Sequence, residues 1–158
     1  MFGSWSPREL PNLNPQNCEL TSKAANRYNC IAWAARDLMH NWWPDPWGIG
    51  YWPPNVPREL TLEAFIQAYG TLGYAPCQNG LLQPDLEKIA LFSIVQGGRQ
   101  VPTHAALQLA NGEWTSKLGP LEDVVHKLVT DVNGPAYGTV ACFLSRQRRP
   151  NGISFLPR

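Results

Sequence analysis

Apolar positions along the chain follow two periods. From Ser22 to Trp42 they recur at helical spacing. Ile31, Ala34, Ala35, Leu38 and Trp42 form one stripe, Asn26 or Asn29 stands where an N-cap belongs, and Pro44 ends the run. A second helix is predicted over LEAFIQAYGTLG, with Thr61 as cap, Leu62, Phe65, Ile66 and Tyr69 as its buried face, and Gly73 at its end. Beyond it the pattern turns strand-like. Pro84–Glu87 reads as one helical turn and Ile89–Val95 as a strand, followed by a turn at Gln96-Gly97-Gly98-Arg99. Thr103–Leu109 and Glu113–Leu118 flank Ala110-Asn111-Gly112 as a hairpin. Pro120 is placed to start a third helix, Leu121–Val129, and Tyr137–Leu144 reads as a last strand. Helices segregated from a small antiparallel sheet predict the α+β class.

The remaining segments lack periodicity. Residues 1–20, rich in Pro and Asn, are expected to be an extended surface arm, and residues 146–158, with four Arg, a solvated tail. Residues 42–57, WWPDPWGIGYWPPNVP, carry too many prolines for a helix or a central strand, and too many aromatics for disorder. At 158 residues the whole chain, 1–158, is one domain's worth.

Composition narrows the function classes. Hydrophobic residues are 44% of the chain and charged residues only 16%, against about a quarter in an average protein. A net charge of +1 argues against nucleic acid or an anionic membrane as a partner. Cys18, Cys30, Cys77 and Cys142 include no CxxC, and no Cys or His pair has ligand spacing. Free thiols, no metal and no cofactor are therefore expected. No basic head precedes an apolar run at the start and no stretch is long enough to span a bilayer, so the expected location is cytoplasmic.

Two residues could carry chemistry. Cys30 opens the first predicted helix, where unpaired N–H groups favour thiolate over thiol and could hold an oxyanion. His104 heads a strand, with Ala105 and Ala106 leaving room beside its ring. His40 and His126 are read as surface and mid-helix residues. This order of elements resembles the papain-like cysteine peptidases of the NlpC and CHAP type. His104-Ala-Ala-Leu-Gln-Leu-Ala-Asn-Gly-Glu-Trp-Thr-Ser116 looks like the hairpin that carries that family's His and third residue. The chain also resembles, over residues 24–146, an uncharacterised bacterial family of short Trp-rich proteins, with YNCIAWA, WWP, YWP, THAALQL and WTSKLG as landmarks.

The papain-like resemblance implies an NlpC-like fold with Cys30 as nucleophile, His104 as base and then acid, Ser116 as third residue, and Tyr28 near the oxyanion site. It departs from that family in having Asn-Cys-Ile-Ala rather than Asp-Cys-Ser-Gly, and Ser as the third residue. A two-residue Asn111-Gly112 turn would also put Ser116 on the face opposite His104, so that a bulge is needed to bring it round. Thr115, Lys117 and Asp123 stay open as residues orienting His104. Trp42, Trp43, Trp47, Tyr51 and Trp52 either wall a substrate cleft or pack as a proline-stiffened lid. The expected activity is a thiol hydrolase or acyl transferase acting on an amide or thioester of a peptide or protein. The alternative is an inactive module that binds a protein partner through its Trp-rich loop.

Overall fold

In a computed structural model, which describes residues 2–148, the chain is built around one antiparallel sheet. Its strands are β1 (Cys18–Ser22), β2 (Ala75–Cys77), β3 (Leu86–Gln96), β4 (Arg99–Gln108), β5 (Trp114–Lys117), β6 (Asp123–His126) and β7 (Thr139–Gln147). Their spatial order is β1-β6-β5-β4-β3-β7-β2. Helices are a minor part of it: the five-residue α1 (Cys30–Ala34), the nine-residue α2 (Leu62–Gly70) and a 3-10 turn at Val129–Val132.

This mainly-β architecture corrects the expected α+β, NlpC-like class in two places. The first helix stops at Ala34 because Arg36 adopts a positive φ of 65° and Asp37 turns the chain back. Asn29 is its cap, its Oδ1 accepting from the Ala32 N–H at 3.0 Å. The third predicted helix is β6 instead. Val124 and Val125 favour a strand, and β6 is zipped between β5 and β1, so pairing on both edges overrides the helix signal of Pro120. The second helix forms but ends at Gly70 rather than Gly73, with Leu62 and Ile66 only half-buried and Thr61 Oγ1 accepting from the Ala64 N–H at 3.1 Å. Its buried residues are Ala64, Phe65, Ala68 and Tyr69.

Both faces of the sheet are covered. Alternation along β3 sends Ile89 and Leu91 to the near face, where α1, α2 and the aromatic segment pack with Ala105, Leu107 and Leu144. Ala90 and Phe92 point to the far face, with Ala106, Trp114 and Val124. The supposed surface arm closes this far face: Trp5, Leu10 and Leu13 are buried there, and its end becomes edge strand β1. On the near face Glu87, 1% exposed, ion-pairs with Arg36 and, at 3.0 Å, with Arg146 across the β3–β7 ladder. Of the predicted tail, Arg146 and Gln147 belong to β7; residues 149–158 lie outside the described part. Among the described residues no helix is long and apolar enough to cross a membrane.

Candidate functional site

The β4–β5 hairpin decides which predicted site residues meet. Leu109 N–H donates to Glu113 C=O at 2.7 Å, and Gly112 N–H to Leu109 C=O at 2.9 Å, with Gly112 at φ 92°. The loop is therefore three residues, Ala110-Asn111-Gly112, not two. The register becomes Leu107↔Thr115 and Gln108↔Trp114. That one-residue change carries Ser116 round to the face of His104. Their side chains hydrogen-bond at 3.0 Å, both fully buried.

The bond continues into a chain. Ser116 Oγ lies 2.8 Å from His126 Nε2, and His126 Nδ1 lies 2.8 Å from the Leu128 carbonyl. A carbonyl only accepts, so His126 carries its proton on Nδ1 and accepts at Nε2 from the Ser116 hydroxyl. Ser116 then accepts from His104 Nε2–H. The lone pair left over, on His104 Nδ1, is buried without a partner. Tyr137 stacks on the His104 ring at 3.9 Å and Phe92 meets it edge-on at 5.2 Å. Burial first, and the neighbouring His126 second, hold His104 well below the usual histidine range; burial also lowers His126.

Cys30 is not part of this group. It packs with Ala105 and Leu107, whereas His104 alternates with them along β4 toward Phe92 and Ser116; Tyr137, stacked on His104, feels the Cys30 charge. Cys30 Sγ sits 3.9 Å from the Thr103 carbonyl, at the extra residue where β4 bulges against β3. It is 6% exposed, and burial pushes its thiol up to about 11, only partly offset by backbone N–H groups such as that of Ala105. With five residues, α1 has too few aligned peptides to supply the helix-terminal charge that the thiolate reading needs. Thr115, Lys117 and Asp123 also lie away from His104. Thr115 accepts from Trp33 Nε1 at 3.0 Å and donates to Val124 C=O at 2.9 Å. Lys117, fully buried, donates to the carbonyls of Ala25, Gly119 and Leu121. Asp123 accepts from the hydroxyls of Thr21 and Ser22. Tyr28 stacks on Trp33 at 5.6 Å, with the Lys117 ammonium over its ring.

The aromatic segment divides into an inner and an outer part. Trp42 and Trp52, each 4% exposed, fill the near-face core: Trp42 stacks on Tyr69 at 6.2 Å, and Trp52 meets Phe65 at 5.0 Å. Trp43 packs edge-on to Phe65 at 5.7 Å. These three rings are packing residues rather than walls of a cleft. Between them the chain loops outward. Asp45 accepts from the N–H groups of Ile49 at 2.7 Å and Gly50 at 2.6 Å, and these bonds lower its pKa. Arg58 donates to the carbonyls of Asp45 at 2.8 Å and Gly50 at 3.0 Å. On this clamped tip Trp47 is 81% and Ile49 86% exposed. The sequence signal for it was present, an Asp before a Gly-containing turn, but the density of Trp hid which one points out.

The family described as a domain of unknown function, DUF7689, matches residues 19–145. No curated protein and no solved structure matches the chain. The matched range runs from β1 into β7 and takes in the histidine chain, Cys30 and the clamped tip.

Proposed function

We propose, for a chain that belongs to the DUF7689 family, a role as a protein-binding module that presents the Asp45–Gly50 tip to an apolar pocket on its partner. The observation that carries this reading is the pair Trp47 and Ile49, over four-fifths exposed on a backbone clamped from both sides by Asp45 and Arg58. Large apolar side chains held in water on a fixed backbone are costly to solubility and contribute nothing to folding. They do suit recognition: a Trp on a preorganised loop delivers its area with little backbone ordering cost, and Trp is enriched among residues that dominate binding energies. The low charge of the chain and the lack of Lys or Arg in residues 42–57 favour a protein pocket over an anionic membrane. The thiol-hydrolase expectation lacks equivalent support, since Cys30 bonds the Thr103 carbonyl and His104 bonds Ser116.

The test is retention of proteins from source-cell lysate on immobilised wild type, on Trp47→Ser/Ile49→Ser, and on Val95→Ser, which alters an apolar residue 70% exposed at the β3–β4 turn. Expected is a partner held by wild type and Val95→Ser and lost with the double variant. Reconstitution from the purified pair should show a Kd weakened at least about thirtyfold, as for loss of roughly 2 kcal/mol at an anchor residue. Equal retention by all three proteins would refute the proposal.

A further inference from the structure

We propose that the His104–Ser116–His126 chain is an acid-sensitive latch that fastens residues 127–138 onto the far face of the sheet and releases them when it takes up a proton. The segment is tied to the chain at two points. Leu128 supplies the terminal carbonyl, at 2.8 Å from His126 Nδ1, and Tyr137 stacks on His104 at 3.9 Å. Thr103 Oγ1 adds a bond to the Tyr137 carbonyl at 2.6 Å. Between these ties lie the 3-10 turn Val129–Val132 and the Gly134↔Gly138 bridge.

The proton positions follow from donor and acceptor counting. In the neutral chain every site between Leu128 C=O and His104 Nε2 is matched, one donor to one acceptor. A proton added to His104 must sit on Nδ1, the buried atom that has no partner, between the Phe92 and Tyr137 rings. A proton added to His126 must sit on Nε2. Ser116 then accepts from His126, and either it donates to His104 Nε2, which moves the His104 proton onto Nδ1, or it accepts from both rings and its own O–H loses its acceptor. In each case the chain gains a buried charge and a buried donor without an acceptor.

The surroundings do not rescue it. Glu113, just before β5, and Asp131, from the 3-10 turn, place carboxylates that favour a proton on His126. From β1, Cys18 lies across the register from His126. Facing His104 are Phe92 from β3, Ser116 from β5 and Tyr137, none of them charged, and the nearest titrating influence is His126 itself. Both histidines therefore have lowered folded-state pKa values. The latch is fully closed above the ordinary histidine value of about 6.5 and loses stability as pH falls below it, because the released state binds the protons.

Hydrogen exchange of the intact protein at pH 7.5 and 5.5, corrected for the intrinsic pH dependence of exchange, tests this. Each histidine that regains its ordinary value on release raises the open population by up to about tenfold over that interval, so the pair gives up to about a hundredfold. The expected result is that rise in the amides of residues 128–138, with the β3 amides Ile89–Phe92 still protected. His126→Gln should cut it to about tenfold. Should that variant fail to fold, the Cε1–H resonances of the two wild-type histidines should titrate below 6.5 together with the Tyr137 ring signals. Three results would overturn the latch: no change in 128–138, an equal loss of protection in β3, or histidine titration without any response at Tyr137.

Discussion

If Cys30 is a packing thiol and not a nucleophile, its alkylation has a definite rate. A thiol pushed to about 11 is thiolate at pH 7 to only about one part in ten thousand, whereas a free thiol of pKa about 8.5 is thiolate to about three per cent. Since only the thiolate attacks iodoacetamide, native Cys30 should label roughly 300 times more slowly than the same residue in the urea-unfolded chain. Its 6% exposure lowers the rate further. The assay is a timed iodoacetamide reaction at pH 7, quenched with excess thiol, followed by mass-spectrometric mapping of the Cys30 peptide. His104→Ala should leave the ratio unchanged, because the imidazole bonds Ser116 while the sulfur faces the Thr103 carbonyl. Labelling of native Cys30 as fast as the unfolded chain, or a tenfold drop on removing His104, would refute this reasoning and restore the dyad.

Other consequences concern the frame that holds the tip and the latch. Glu87→Gln breaks the buried pairing with Arg36 and Arg146 and should cost about 3 kcal/mol in urea unfolding. Gly138→Ala should cost at least about 2 kcal/mol, since its φ is 73° and a Cβ there would meet the Ser93 carbonyl oxygen at 2.1 Å. Gly97→Ala, at φ 58° with open space around it, should cost only about 1 kcal/mol in the same assay. Trp47→Ser/Ile49→Ser should leave the unfolding free energy within about 0.5 kcal/mol of wild type, because both side chains are already in solvent.

What the sequence made legible was local. The Asn29 and Thr61 caps, the second helix, the β3–β4 turn and the β4–β5 hairpin are all set by residues close together in the chain, and each formed within a few residues of its reading. What stayed hidden depended on pairing at long range. Val124 and Val125 become a strand between β5 and β1, the latter over a hundred residues earlier in the chain. With that strand goes His126, whose alternation with Val124 turns it inward to Ser116, although in a helix it would have faced outward or toward the sheet. Cys30 and His104 bond other partners, the Thr103 carbonyl and Ser116, for a related reason. Alternation fixes which face a strand residue takes, but which face the helix covers is decided by the whole sheet. The His104–Ser116 contact turned on a single residue in a turn: Asn-Gly in a three-residue loop reverses the faces that a two-residue loop would set.

The central claim, that the clamped tip is the recognition surface, is tested most directly by photo-crosslinking. A benzophenone side chain at position 47, and separately at position 95, would be illuminated in source-cell lysate. The account predicts one discrete adduct from position 47 and none of that mass from position 95, competed away by excess wild-type protein but not by Trp47→Ser/Ile49→Ser. Adducts of the same mass from both positions, or competition by the double variant as strong as by wild type, would contradict it.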